Sequence, residues 1–334
     1  MKTDKTNMRR YLGNIRQLGG VRRFVLDDDR GRGMRVLEVN NGSGLIFNVY
    51  PDRGMDLGEV FFNGRQLAWL AGSAPAAPAF YNEEGSEWLR SWGGGLLTGC
   101  GYLNVGPGEN GEGLHGRISH LPAGEVNTSA DFVNEDTFEV TVSGKVSHTK
   151  VFFENLVLTR KISAVCGKNS IIIEDKIENC GFKSEPLMIL NHMNFGWPLV
   201  DENCYLEAAE HQVSPRNARA AEGMDKWQFM ETPQENFAEQ VYFHSNQICD
   251  REGMAGIAIV NPAAGLKVTV RRRVEELPYI IEWKQMGCGN YVLGIEPSNC
   301  HPVGKEAFEK QGLLRTISPG EVVNTKIEVL FETI

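Results

Sequence analysis

The chain is built from short segments in which apolar side chains recur at every second position. Val323, Thr325, Ile327, Val329 and Phe331 alternate near its end, as do Leu266, Val268 and Val270, and Tyr279, Ile281 and Trp283 alternate against Ile280 and Glu282. Residues two apart share one face of a strand, so each segment can bury one side as β structure but not as helix. Between Lys145 and Ile162 the alternation runs through Val146, His148, Val151 and Phe153, then resumes at Leu156 and Leu158. The change of phase near Glu154-Asn155 predicts a turn or bulge between two strands. Asn169 to Glu178 reads as a further strand ended by Asn179-Cys180-Gly181, and Asn41-Gly42 as a hairpin turn between Val36-Leu37-Val39 and Leu45-Phe47-Val49. Turns this closely spaced predict an all-β sandwich or barrel, not βαβ units. Helices are expected to be few and short. The best candidate runs from Arg216 to Met224, with Ser214 as N-cap and Pro215 at the first helical position.

Composition narrows the class. The 334 residues are 41% hydrophobic and 23% charged, as in a globular protein with a sizeable core. The Ala/Pro-rich stretch Ala71 to Ala79 is too short to separate domains, so residues 1–334 are expected to form a single domain. A formal net charge of -9 argues against a nucleic-acid surface. The one compact basic run, Arg271-Arg272-Arg273, precedes Val274-Glu275-Glu276 and reads as a solvated strand edge. Met1 to Arg10 holds no apolar core of a secretory signal, and no run approaches the roughly 18 apolar residues of a membrane span. The seven cysteines (100, 166, 180, 204, 249, 288 and 300) form no Cys-x-x-Cys pair and read as reduced, buried small hydrophobes. A cytoplasmic protein without nucleic-acid or membrane partners is expected.

Two polar clusters interrupt the apolar pattern. Asn191-His192-Met193-Asn194-Phe195 follows Pro186-Leu187-Met188-Ile189-Leu190, and Gly294-Ile295-Glu296-Pro297 follows Tyr291-Val292-Leu293. An imidazole and a carboxyl at the ends of buried strands can face a cavity and pass protons. The segment Trp88 to Gly116 combines Trp88, Trp92, Gly93-Gly94-Gly95, Asn104 and His115-Gly116-Arg117. Aromatic faces beside hydrogen-bonding groups suit a sugar, which has apolar C–H faces and a hydroxyl rim. The glycine triplet is followed by no Gly-Lys-Ser or Gly-Lys-Thr and sits in no dinucleotide-binding unit. No Gly-x-Ser-x-Gly or His-Glu-x-x-His string occurs, and spacing gives no support to a metal set of His115, His192 and His244. No metal and no cofactor is expected.

These residues resemble a known family. Leu114-His115-Gly116, Asn191-His192-x-x-Phe195 and Leu293-x-x-Glu296-Pro297 occur in the order found in galactose mutarotase and related aldose 1-epimerases. Asp52-Arg53-Gly54-Met55-Asp56-Leu57-Gly58, Gly95-Leu96-Leu97-Thr98 through Asn104-Val105-Gly106, and His115-Gly116-Arg117-Ile118-Ser119 resemble the divergent DUF4432 branch. The resemblance runs from about Asp52 to Lys305 and implies a galactose mutarotase-like β-supersandwich. It implies Glu296 as general base, His192 as general acid and His115 as the histidine assisting at the sugar ring. Arg53 and Arg117 are both candidates for the family's arginine. Asp56, Asn104 and Asn194 are expected to contact hydroxyls, and Trp92 or Trp197 to supply a stacking face. The expected reaction is interconversion of the anomers of a monosaccharide or sugar derivative by a monomer or homodimer. His192 is expected to stay protonated near neutrality beside a carboxylate. The alternatives are a sugar-binding or regulatory module without turnover, and an epimerase or lyase acting on an open-chain or modified sugar.

Overall fold

The computed structural model describes residues 4–73, 75–109 and 111–334. Among them the alternating segments form two large antiparallel sheets. The larger has eleven strands. Its main path runs Gly20–Val25, Arg35–Asn40, Leu45–Tyr50, Asp56–Phe62, Leu97–Tyr102, Met188–Phe195, Asn290–Ser298, Tyr279–Gly287, Gln240–Ser245, Gln212–Pro215, and Arg65–Gln66 pairs with Asp56–Phe62. The smaller has eight, in the order Tyr205–Ala208, Met254–Asn261, Leu266–Arg273, Val322–Thr333, Ser170–Asn179, Asn155–Val165, Thr137–Thr149, Ala123–Asn134. A short pair, Glu185–Pro186 with Thr316–Ile317, completes the sheets.

The pleat explains how one sheet serves both a core and a site. Ile189, Met193 and Phe195 point into the main hydrophobic core, where they meet Ile173, Ile327 and Val329 of the smaller sheet. Met188 and Leu190 point to the opposite face and join a second apolar cluster with Cys100, Val241, Ile281 and Phe308. Every residue of Met188–Phe195 is therefore buried, because the larger sheet is covered on both faces here. His192 lies on the face of Leu190, away from the main core. This is the galactose mutarotase-like fold that the resemblance implies, and it agrees with the all-β reading of the alternating segments. No helix among the described residues is long and apolar enough to cross a membrane.

Several local expectations hold. Asn41 sits in the turn between Arg35–Asn40 and Leu45–Tyr50, where its side-chain oxygen accepts from the N–H groups of Ser43 and Leu45. The break of phase after Phe153 is the turn between Thr137–Thr149 and Asn155–Val165.

Others are corrected. Ser214 and Pro215 belong to the strand Gln212–Pro215, an edge position where proline's missing donor is tolerated. The helix is the shorter Ala218–Glu222, capped by Asn217, whose side chain accepts the Ala220 N–H at 3.0 Å. The arginine run does not lie at a solvated edge. Its strand is interior to the smaller sheet, and Arg272 is fully buried, donating to the carbonyls of Leu277 and Pro278 and to the Gln247 side chain. Cys100, Cys204 and Cys300 are buried as expected, whereas Cys180, Cys249 and Cys288 are exposed on loops.

Candidate active site

The floor of the site is a row of side chains across neighbouring strands of the larger sheet. Leu190 pairs with Ser298 and Asn194 with Gly294, which sets His192 directly opposite Glu296. His192 pairs on its other side with Thr98, and Glu296 with Ile281. The His192 Nε2 and Glu296 Oε1 atoms stand 3.3 Å apart, and both side chains are buried. Neither His192 Nδ1 nor Glu296 Oε1 has a hydrogen-bond partner among the described residues. Gly294 makes the arrangement possible. A Cβ there would come within 2.5 Å of Glu296 Oε1 and 3.1 Å of the Trp283 Cβ.

Aromatic rings enclose His192. Trp92 and Trp283 approach it edge-on with centroids at 5.0 and 5.3 Å, and His115 does so at 5.9 Å. Trp92 is held by its indole N–H, which donates to Thr98 Oγ1 at 2.9 Å, and Trp88 packs on both Trp92 and His115. The His115 backbone has a left-handed φ of 58°. Its N–H donates to the Gly106 carbonyl at 2.9 Å, while its Nδ1 accepts the Gly106 N–H at 3.3 Å. The neutral ring must then carry its proton on Nε2. These groups line a cavity of about 620 Å³ whose remaining wall includes Leu114, Arg216, Glu239, Pro302 and Val303. Glu239 accepts from Arg216 at 2.5 Å and from the Trp283 indole at 2.7 Å.

Burial sets the protonation of the central pair. It pushes His192 down to about 3, nearby His115 adding to the fall and the Asn194 side chain opposing it. It holds Glu296 well above the usual carboxyl range, with Glu239 adding and Arg216 opposing. His115 is likewise pushed down by burial to about 4. Burial thus drives both groups towards their uncharged forms, the imidazole losing its proton and the carboxyl keeping its own to a higher pH than an exposed one would. This corrects the expectation of a charged His192. Two charges inside a tryptophan-walled cavity lose more solvation than one contact at 3.3 Å returns.

All seven histidines are shifted down, chiefly by burial: His120 to about 2, His148 and His301 to about 4, His244 to about 3, and His211 in the same direction. In the unfolded chain each takes up a proton as pH falls through about 6.5, while the folded protein does not. Unfolding then gains protons, so stability rises with pH in this window. The strongly raised carboxyls Asp56, Glu282 and Glu296 act in the opposite sense but are fewer. The melting temperature is expected to fall steadily as pH is lowered from about 6.5 towards 4, readable by calorimetry.

Of the residues singled out from sequence, the cavity brings together His192, Glu296, His115 and Trp92. The other six do not line it. Arg53 is buried beneath, donating to the carbonyls of Ala76 and Ser91, each at 2.8 Å. Asp56 accepts the Gly99 N–H at 2.9 Å and faces Arg160 at 3.7 Å, and burial raises it to about 7 against both Arg160 and Arg53. Asn104 ties the cavity loop together, donating to the Pro107 carbonyl and accepting the Lys305 N–H. Arg117 is taken up by Glu83 at 2.6 Å, outside the cavity. Asn194 lies one residue pair along from His192 and donates to the Gly95 and His192 carbonyls. Trp197 is 76% exposed, so the aromatic walls are Trp88, Trp92 and Trp283 instead. Arg216 and Glu239 carried no sequence signal beyond their charge. Trp283 stood in plain alternation with Ile281, the phase that places it on the cavity face. His244 points to the opposite face of the sheet, against Glu282 at 2.9 Å and His211 at 2.9 Å, so it does not join His115 and His192.

The comparisons with known proteins follow the same lines. The family described as "Domain of unknown function (DUF4432)" matches residues 31–330. The chain belongs to this family. Among solved structures, a "putative aldose 1-epimerase" from Klebsiella pneumoniae superposes with a TM-score of 0.85 at 25% identity, over 93% of this chain and 83% of that one. The galactose 1-epimerase of Lactobacillus acidophilus gives 0.63 at 14% identity, over 94% and 98%. A galactose mutarotase-like protein of Clostridium acetobutylicum gives 0.62 at 13% identity, over 94% and 98%. The latter two likenesses concern the fold. No curated protein matches the sequence.

Proposed function

We propose that this protein is a cofactor-independent isomerase of the aldose 1-epimerase type, opening and reclosing the ring of a monosaccharide or sugar derivative. The observation that carries the reading is the buried His192–Glu296 pair, 3.3 Å apart at the floor of a tryptophan-walled cavity. The similarity to the Klebsiella protein supports the same class.

Ring opening needs one base and one acid at adjacent oxygens. The base takes the proton of the C1 hydroxyl while the acid gives its proton to the ring oxygen. The C1–O5 bond breaks, leaving an aldehyde at C1 and a hydroxyl at C5. Rotation about C1–C2 followed by the reverse transfers closes the ring on the other face. The pair ends as protonated as it began, so neither sugar nor protein accumulates charge. The roles that the resemblance gives, Glu296 as base and His192 as acid, require a proton on the imidazole. Moving the carboxyl proton across the 3.3 Å gap yields that form with no change in net charge. The Trp283 and Trp92 faces would stack on the sugar's C–H surface, His115 Nε2–H would donate to a ring-side oxygen, and Arg216 with Glu239 would take hydroxyls.

With His192 down at about 3, kcat/KM is expected to show no step of an ordinary histidine between about pH 5 and about pH 7, while the raised Glu296 moves its own step above the usual carboxyl range. Polarimetry across that range checks it, and a steep fall between about pH 7 and pH 5 would contradict the lowered imidazole. The function itself is tested by exchange NMR on a panel of pentoses, hexoses, deoxy sugars and uronic acids. Deuterium appearing at C2 from heavy water would instead identify proton abstraction from carbon.

A further inference from the structure

At one end of the smaller sheet, four apolar side chains stand in solvent. The turn after Thr137–Thr149 exposes Val151, Phe152 and Phe153 by 76%, 92% and 64%, and the loop after Ser170–Asn179 exposes Phe182 by 98%. The two loops lie side by side. The Cys180 N–H donates to the Asn155 carbonyl at 2.8 Å, and a Cβ on Gly181 would lie 3.6 Å from the Asn155 Cβ. The turn is closed by Lys150 N–H to Glu154 and Phe153 N–H to Lys150, at 3.0 and 2.9 Å. Phe152 is held at a φ of 71°, a left-handed conformation that a bulky side chain rarely adopts. The backbone is thus committed to presenting these rings outward, although exposed phenylalanine clusters are costly unless something covers them.

We propose that this apex is a self-association surface on which a second copy of the chain packs, Phe152, Phe153 and Phe182 forming the centre of a twofold interface. The four side chains offer roughly 600 Å² per chain, taking about 200 Å² for a whole phenylalanine. Two copies then bury about 1,200 Å², the lower edge of stable interfaces before the rim is added. That rim carries both signs. Lys150 lies over the Phe153 ring at 4.6 Å and exposed Lys183 stands beside Phe182, while Glu178, paired with Lys176 at 2.9 Å, supplies the negative charge at the strand end. An apolar centre with a rim of mixed charge suits a like surface under a twofold axis. An anionic lipid surface calls instead for a basic rim. His192 and Glu296 lie on the other sheet and take no part.

Sedimentation velocity over a concentration series tests the proposal with the full-length chain. The parent is expected to sediment at twice the chain mass. The double variant Phe152→Asp/Phe182→Asp is expected to weaken association by roughly 100-fold or more while keeping its circular dichroism spectrum. A parent that stays monomeric throughout, or a double variant that dimerises as tightly as the parent, overturns the proposal. So does a monomeric parent that floats with phosphatidylglycerol vesicles, which would assign the apex to a lipid surface.

Discussion

Replacing Glu296 by glutamine is expected to slow anomer exchange by roughly 10²–10⁴-fold, the contribution of a well-placed proton-transfer group. Glutamine matches the volume of the protonated carboxyl and keeps the space that Gly294 leaves, so the cavity shape and sugar binding are retained. What it removes is the exchangeable proton. The same substitution has a signature in stability. The folded protein keeps the Glu296 proton well above the ordinary carboxyl value of 4.5, whereas the unfolded chain releases it near that value. The parent therefore loses stability as pH rises from about 4.5 towards the folded value, and glutamine does not. The melting temperature of Glu296→Gln is expected to exceed that of the parent at pH 8 and to converge with it near pH 4. Slower exchange with unchanged stability at both pH values would mean that Glu296 is not held protonated.

The second large effect falls on His192. His192→Asn is expected to cost a similar roughly 10²–10⁴-fold in exchange, because an amide between Trp92 and Trp283 can hydrogen-bond but cannot pass a proton. Its pH signature has the opposite sign. The imidazole titrates at about 3 in the folded protein against 6.5 unfolded, so its presence lowers stability as pH falls through that interval. Asparagine relieves the penalty on the acid side only. Because the two groups serve the same proton transfers, their losses should not add. The double variant is expected to be about as slow as the slower single variant, and a product of the two effects would show that they act independently.

Much of the fold was legible in the sequence because period-2 alternation has one structural solution. The site was legible in its centre for a related reason. His192 and Glu296 are polar residues inside apolar strands, where burial demands a partner or a function. What could not be read was which loops fold over the pair. Arg53, Asp56 and Asn104 stand in polar, glycine-rich strings that look like ligand contacts, yet their hydrogen bonds are spent on backbone groups that hold the floor and its loops. Arg216 and Glu239, 23 residues apart, reach the cavity from just beyond the ends of two neighbouring strands, a pairing no local pattern announces. The charge on His192 was misjudged for a different reason. Proximity to a carboxyl was visible as a possibility, but the depth of burial that suppresses both charges depends on three tryptophans and the covering loops.

Magnetisation transfer between α and β anomers, measured for the parent and for Glu296→Gln and His192→Asn, tests the central claim most directly. For at least one sugar the parent is expected to produce exchange above the rate in buffer, and both variants to return it close to that rate while still binding the sugar. Saturable sugar binding without exchange above the buffer rate across the panel, or variants that match the parent, would contradict acid–base ring opening at His192 and Glu296.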